Sequence, residues 1–457
     1  MYQEDTIAAI ATPPGEGGLA VVRISGPDAE NIARRIFHRP NQADGQLRSH
    51  TLYHGRICDP KYQRSIDEVL LTIMRKPRSY TGEDVVEVHC HGGNFLVRQV
   101  LALIMTQGAR QAEAGEFTKR AFLNGRVDLA QAEAVLDLIR AQSAKGAELA
   151  LSQASGELSK YVAELREELL DILVQVEAAI DFPEEEIELL QRHQLAQKIS
   201  ALSDKINVIS ASYEWGRFFR EGAKVCICGR PNVGKSSLLN ALLGADRVIV
   251  TPVPGTTRDV IEETLVLDGL PVVIWDTAGI RETDDQVEKL GVELSRRHLQ
   301  KADALIVVLD GSVELTADDR VLLDNAAAKK LVIAINKSDL PTVIDSGLLD
   351  AGPQRQIVRT SALSGAGSGE LKKTLRELVL GCAVEPPVTV TNLRHRSELV
   401  RSAEGLQRAV DTLDHGLPPE FAAIDLGDAR EALEEIIGIV SNEDILERIF
   451  NNFCIGK

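Results

Sequence analysis

Between Gly229 and Ser237 the chain reads GRPNVGKSS, two glycines framing a tight turn that ends in Lys235 and Ser236. An apolar run, KVCIC, precedes the turn and a helical SLLNALLG follows it, so a strand runs through a loop into a helix. Glycines in such a loop let backbone N–H groups face phosphate oxygens. The lysine reaches the β and γ phosphates, and the serine hydroxyl ligates magnesium. Asn232, Val233, Gly234, Lys235, Ser236 and Ser237 are candidate nucleotide contacts, with Lys235 in a catalytic role.

Three later segments name the nucleotide. DTAG (Asp276, Thr277, Ala278, Gly279) closes another apolar strand and brings a carboxylate to the magnesium shell and a glycine amide toward the γ phosphate. In NKSD, Asn336 and Lys337 frame the base, and the Asp339 carboxylate can accept from both N–H groups on a guanine edge. Adenine would leave that carboxylate unpaired, a mismatch worth several orders of magnitude in affinity. TSAL adds Ser361, Ala362 and Leu363 as the lid of the base pocket. The nucleotide is GTP.

The hydrolytic parts depart from the commonest pattern. Ile280 follows DTAG, so the glutamine that orients water in Ras-type enzymes is missing. Glu288, in DQVEKLG, is a carboxylate able to take that role, though an exposed glutamate is ordinarily just solvated. No arginine finger is identifiable. The Asn232 carboxamide could instead help hold a monovalent cation beside the phosphates, with oxygens from TPVPGTTRD. That segment supplies Thr251, Pro252, Val253, Pro254, Gly255, Thr256 and Thr257 as further nucleotide contacts, Thr257 as the switch threonine on magnesium.

The elements that carry these groups fall into three regimes. Residues 1 to about 120 mix β-type runs (TIAAIA, LAVVRISG, VLLTIM, DVVEVHCHGG) with helical stretches, an α+β pattern. From about 127 an Ala-, Leu- and Glu-rich stretch carries one helical stripe: Leu158, Val162, Leu165, Leu169, Ile172, Val176 and Ala179. Pro183 ends it. A second stripe follows at Leu195, Ile199, Leu202, Ile206 and Ile209. Apolar strands then alternate with helices, the signature of a parallel α/β sheet. After EPP the helical rhythm returns at Leu399, Ala403, Leu406, Val410 and Leu413. The expected fold is therefore multidomain, α+β and α/β: an N-terminal domain (1–122), a helical domain in two parts (123–219 and 381–457), and a P-loop domain with a mostly parallel sheet (220–380) inserted between them.

Bulk properties narrow the setting. The chain has 457 residues, 44% of them hydrophobic, and a net charge of −17. That charge argues against broad electrostatic binding of nucleic acid, so an RNA substrate needs a local basic patch or a partner protein. No apolar run is long enough to span a membrane and the N-terminus lacks a signal-peptide pattern, so a cytoplasmic, non-membrane protein is expected. Six scattered cysteines do not form a disulfide framework. Cys226 and Cys228 share one face of a buried strand. His89, Cys90 and His91 look like metal ligands, but neighbours on a strand face opposite ways, which favours a structural reading.

GRPNVGKSSLLN, PGTTRD, DTAGIRETDDQVE, NKSD and a terminal FCIGK together resemble the tRNA modification GTPase MnmE (TrmE) family, as do SYTGEDVVEVHCHGG, GEFTKRAFLNGRVDLAQAEAV and EAAIDFPEEEI. The similarity runs from about Thr6 to Lys457. It implies a homodimer and a Ras-like G domain stimulated by potassium. It also implies a FAD-containing partner, MnmG, in a heterotetramer that modifies C5 of the wobble uridine of certain tRNAs. A 5,10-methylene- or 5-formyl-tetrahydrofolate would bind the N-terminal domain through Arg23, Glu87, Arg126 and Lys457. Arg126 is a lysine in some relatives. Potassium would be held by Asn232, Thr251, Val253 and Thr256, magnesium by Ser236 and Thr257, with Glu288 orienting water. The tail FCIGK would fold back so that Lys457 reaches the N-terminal domain and Cys454 lies near the one-carbon chemistry, as nucleophile or as packing. The competing reading is a GTP-controlled binding switch in ribosome assembly.

Overall fold

A computed structural model describes residues 5–39, 47–181, 189–246, 262–276, 301–326, 329–345, 347, 349, 354–381 and 386–457. The expected site residues in 251–257 and 277–279, together with Glu288 and Pro183, lie outside them. The chain divides into two compact units. One gathers Met1–Leu136, Gln153–Val162 and Leu433–Lys457; the other holds Asp137–Ser152 and Ala163–Ala432.

In the first unit, β1 (Ile7–Ile10), β2 (Ala20–Ser25), β3 (Phe37–His38), β4 (Leu52–Asp59), β5 (Arg64–Met74), β6 (Val85–Cys90) and β7 (Arg110–Gln111) form one sheet in the order β3-β4-β5-β6-β2-β1-β7. Neighbours are antiparallel except β1 and β7. Alternation assigns the faces. Val22, Ile24, Leu71, Ile73, Val86 and Val88 join one core with Ile32 and Ile36 of α1 (Ala29–Ile36) and Val100 and Ile104 of α2 (Asn94–Thr106). Each such side chain contributes roughly 1.5–3 kcal/mol of burial. The intervening residues, Arg23 and Glu87 among them, face the other way. There Phe117 of α3 (Glu116–Leu123) packs on Ile7, Ala9 and Ala112. Leu129 and Leu136 of α4 (Leu129–Arg140) pack with Phe450 and Phe453, which anchors the C-terminal segment in this unit.

In the second unit, β8 (Ala223–Cys228), β9 (Glu262–Leu267), β10 (Leu270–Asp276), β11 (Ala304–Asp310), β12 (Leu331–Asn336) and β13 (Arg355–Arg359) order as β13-β12-β11-β8-β10-β9. Every pairing is parallel except the edge β9–β10 hairpin. Fully buried strands such as LVIAIN give the continuous apolar runs that the sequence displays. Cys226 and Cys228 are both buried in one core, as their spacing requires. Burial pushes the Cys228 thiol up to about 11, which makes it inert.

The helices that follow in chain order are α5 (Ala144–Ala154), α6 (Glu157–Asp181), α7 (Leu189–Ala211), α8 (Tyr213–Glu221), α9 (Lys235–Asp246), α10 (Ala317–Asn325), α11 (Ser368–Leu380), α12 (Leu393–Asp414) and α13 (Pro419–Ile437), of which α8, α9, α10 and α11 contact the sheet. The expected stripes are buried: Ile199, Leu202, Ile206 and Ile209 on α7, and Leu399, Ala403, Leu406 and Leu413 on α12. These two helices pack along each other, so the chain returns to its own helical layer after the sheet is complete. Ser212, at the point of departure, accepts the Val390 N–H at 2.9 Å at the point of return. Between those points, Phe218 and Phe219 of α8 enter the core of the sheet with Val225 and Val272, joining the inserted layer to its helical frame.

Candidate functional site

The phosphate loop sits where the motif requires, between the end of β8 and the start of α9. Gly234 has φ +97°, and a Cβ there would collide with the Asn336 carboxamide, so both the turn and the close approach demand glycine. Asn232 also holds a left-handed backbone, φ +64°, which asparagine tolerates. Its side chain is exposed at the loop, as are Ser236 and Ser237 at the first turn of α9. Lys235 is nearly buried and donates to the carbonyls of Gly229 and Arg230, both at 2.8 Å. Its amino group therefore caps the loop from inside.

The base-recognition segments converge on that loop. Asn336, 2% exposed, donates from Nδ2 to the Val233 carbonyl at 2.9 Å and accepts the Ala362 N–H on Oδ1 at 3.0 Å. Asp339 accepts the Ser361 hydroxyl at 2.5 Å, which fixes the carboxylate that would read guanine. Leu363 is 88% exposed, so its side chain is not packed into this pocket. Asp276 ends β10 opposite Ile227 of β8, beside the strand that feeds the phosphate loop. Sequence reading thus brought Lys235, Asn336, Asp339, Ser361 and Ala362 to one end of one sheet.

It missed two supports. Lys337 has φ +63° and its ammonium lies 2.6 Å from Asp310, at the end of β11. Burial opposes ionisation of Asp310, but hydrogen bonds from Lys337 and Ser312 outweigh it and hold its carboxyl below the usual range. The second support is Arg230, whose Nε donates at 2.8 Å to Asp319 in the first turn of α10. Asp319 and Thr316 form a reciprocal capping box there. An aspartate closing an apolar strand, ALIVVLDG, was the signal for the first, since such strand ends line α/β ligand crevices.

A second cluster forms in the first unit. Arg23 and Glu87 are cross-strand partners, with Nε and Nη2 both 2.9 Å from Oε1. The Arg23 guanidinium lies over the rings of Tyr80 (5.2 Å) and Phe117 (5.6 Å), contacts that sequence reading did not foresee. The C-terminal tail folds back onto it. Ala114 and Ile455 form a β-bridge, the Lys457 carbonyl accepts the Phe117 N–H at 3.2 Å, and Arg23 Nη1 lies 3.5 Å from the Gly456 carbonyl. Gly456 has φ +100°, and a Cβ there would strike the Ile10 carbonyl. Burial and the nearby Arg23 charge hold the Lys457 amine below the ordinary lysine range. Cys454 is exposed and free.

Arg126 is held at the 79–82 turn. Its Nε donates to the Ser79 carbonyl at 3.1 Å, across the 79–82 turn. Three of the four expected folate residues are therefore gathered. The set of one carboxylate, two cations and aromatic walls matches a ligand with an acidic tail and N–H-bearing ring edges. A cavity of about 410 Å³ lies on the helix-covered side, lined by Ile10, Gly17, Val97, Arg98 and Ile455 but by none of the four. His89, Cys90 and His91 do not assemble a metal site. Cys90 is buried and donates to the Ala20 carbonyl, whereas His91 pairs with Asp67 at 2.7 Å. Among the described residues no group of three or more His, Cys, Asp or Glu is placed to hold a metal.

A lysine-bearing phosphate loop between strand and helix, with an Asn–Lys–x–Asp segment at the same sheet end, defines a P-loop guanine-nucleotide protein. The family description "MnmE helical domain" matches residues 129–454, and "GTP-binding protein TrmE N-terminus" matches residues 6–126. The tRNA modification GTPase MnmE of Natranaerobius thermophilus is 46% identical over 457 residues, covering 99% of this chain and 100% of that protein. The protein of the same name from Syntrophotalea carbinolica is 48% identical, covering 100% of each. Among solved structures, the G domain of the T. maritima FeoB iron transporter is 28% identical over 34% of this chain and 98% of that one, with a TM-score of 0.27. The chain belongs to the MnmE family.

Proposed function

We propose that this protein is a cytoplasmic GTP hydrolase of tRNA modification. As a homodimer bound to the FAD-containing MnmG, it would serve the addition of a carboxymethylaminomethyl or aminomethyl group to C5 of the wobble uridine in certain tRNAs. The observation that supports the nucleotide half is that Lys235 and Asn336 both hold the phosphate loop, with Asp339 tied to Ser361 beside the Ala362 amide that Asn336 accepts. The one-carbon half rests on the Arg23–Glu87 pair with Lys457 folded against it. The partition into 1–122, 123–219, 220–380 and 381–457 belongs to the same proposal.

In this reading the backbone N–H groups of the Gly229–Ser236 loop and the Lys235 ammonium hold the phosphates. Asp339 and the Ala362 backbone select guanine. Ser236 and Thr257 would hold magnesium, which would supply positive charge against the phosphates. Asn232, with Thr251, Val253 and Thr256, would hold potassium, which supplies the charge an arginine finger otherwise gives. The Asn232 carboxamide stands exposed on the loop, where such a ligand has to be. Glu288 would orient the attacking water. A tetrahydrofolate would supply the one-carbon unit at Arg23, Glu87 and Lys457, with Arg126 reaching it across the 79–82 turn.

The test is steady-state GTP hydrolysis in matched potassium and sodium salts. The rate rises sharply in potassium, and Asn232→Ala removes the difference. Equal rates in both salts refute the cation role. Ribosome co-sedimentation with no effect on wobble uridine would favour the assembly-switch reading instead.

A further inference from the structure

The acidity of this chain is unevenly spread. Residues 1–122 carry 15 Lys and Arg against 14 Asp and Glu, a net of +1, whereas the remaining 335 carry 36 against 54, a net of −18. Within the first unit four arginines, Arg34, Arg39, Arg48 and Arg75, are linked through shared contacts. Arg34 and Arg75 share the single carboxylate of Glu30, at 2.7 and 2.8 Å. Arg75 also donates to the Leu47 carbonyl at 2.8 Å, which holds the 47–50 segment alongside. The next residue, Arg48, donates its backbone N–H to the Tyr53 hydroxyl at 2.6 Å. Across the Tyr53 ring lies the guanidinium of Arg39, 4.7 Å from the centroid.

These contacts make one continuous strip. Arg34, Arg39, Arg48 and Arg75 stand on it, and among the described residues Glu30 and Asp84 act on Arg75. The usual explanation for arginines in the last turn of a helix, compensation of its dipole, accounts for Arg34 on α1. It does not account for Arg39 and Arg48, which lie outside any helix. Neither has a carboxylate partner among the described residues. Arg48 is exposed, and the Arg39 guanidinium lies over the Tyr53 ring.

We propose that this strip binds the phosphodiester backbone of the tRNA substrate, with Arg39 and Arg48 contacting phosphates and Tyr53 orienting Arg39. It rests on the tRNA-modification reading above and gives it a surface. Arginines on a near-neutral domain let a strongly acidic chain hold a polyanion locally, while the rest of its surface repels indiscriminate binding. Such contacts position the RNA and carry no sequence information.

The test uses the full chain, an unmodified tRNA transcript and fluorescence anisotropy in 50 to 200 mM KCl. Arg39→Glu/Arg48→Glu weakens binding about tenfold or more at 50 mM and flattens the dependence of log affinity on log salt by roughly 1 to 2. Arg39→Gln/Arg48→Gln, which keeps side-chain size, gives a smaller loss in the same direction. GTP hydrolysis and the thermal melt stay unchanged in both, which separates this surface from the nucleotide site and from misfolding. Unchanged tRNA affinity and salt slope in both variants overturn the proposal alone. Failure of the unsubstituted chain to bind any tRNA overturns it together with the direct-contact part of the functional reading.

Discussion

The carboxamide of Asn336 bridges two loops, donating to the Val233 carbonyl of the phosphate loop at 2.9 Å and accepting from the Ala362 N–H at 3.0 Å. Base recognition and phosphate binding therefore share one buried amide. Asn336→Ala leaves a backbone donor and acceptor without their partner, at about 1–3 kcal/mol for each buried group so exposed. It should lower affinity for fluorescent GDP and GTP analogues at least tenfold and reduce thermal stability as well. A variant that loses base discrimination but keeps phosphate affinity would deny the bridge.

Asp339 accepts from Ser361, and in the proposed reading its carboxylate would decide which purine enters. Asp339→Asn replaces an acceptor by a donor. GTP affinity should fall by two or more orders of magnitude while xanthosine triphosphate gains, read out as hydrolysis of each nucleotide.

Gly456 admits the tail beside Ile10, and no residue with a Cβ fits there. Gly456→Val should release the tail and weaken 5-formyl-tetrahydrofolate binding at least tenfold in calorimetry, leaving basal GTP hydrolysis intact. The depressed Lys457 amine adds a pH signature. It loses its proton at lower pH than an ordinary lysine, so affinity for an anionic ligand should decline on the alkaline side before pH 10.5 is reached. Lys457→Met should abolish that decline.

Arg120, 2% exposed, pairs with Asp5 (2.6 Å), Glu116 (2.9 Å) and Glu83 (3.2 Å), and Arg110 shares the first two. Arg110 and then Arg120 lower Asp5. Burial works against Glu116, but Arg110, a backbone N–H and Arg120 outweigh it. Both folded values lie below the ordinary ones, so the stabilisation is fully present above the ordinary carboxylate range and fades as pH falls through the depressed values. Thermal melts should be flat near neutrality and drop below about pH 4. Arg120→Ala removes the guanidinium that Asp5, Glu83 and Glu116 share while Arg110 stays on Asp5 and Glu116, so the loss should fall below the roughly 3–5 kcal/mol of a fully broken buried pair.

The nucleotide site was readable in the sequence because its chemistry is local. Each motif holds its residues within a few positions, and continuous apolar strands announce the parallel sheet that aligns them. What escaped was held by long-range geometry. Arg230 and Asp319 are 89 positions apart. The stacking of Arg23 on Tyr80 and Phe117 joins strand, turn and helix. The edge strand β9 was missed because EETLVL, antiparallel and acidic at its start, lacks the apolar run of its neighbours. Arg126 was grouped with Arg23 by resemblance alone, and its hydrogen bond to Ser79 ties it to the segment that carries Tyr80, on which Arg23 lies.

The central claim is that GTP hydrolysis by this chain serves modification of wobble uridine. Its most direct test is mass spectrometry of tRNA nucleosides from host cells in which the chain is deleted and then restored. The account predicts loss of the C5 aminomethyl-type modifications on deletion, recovery with the unsubstituted chain, and no recovery with Lys235→Ala. Unaltered wobble uridine in the deleted strain, or full recovery with Lys235→Ala, would contradict it.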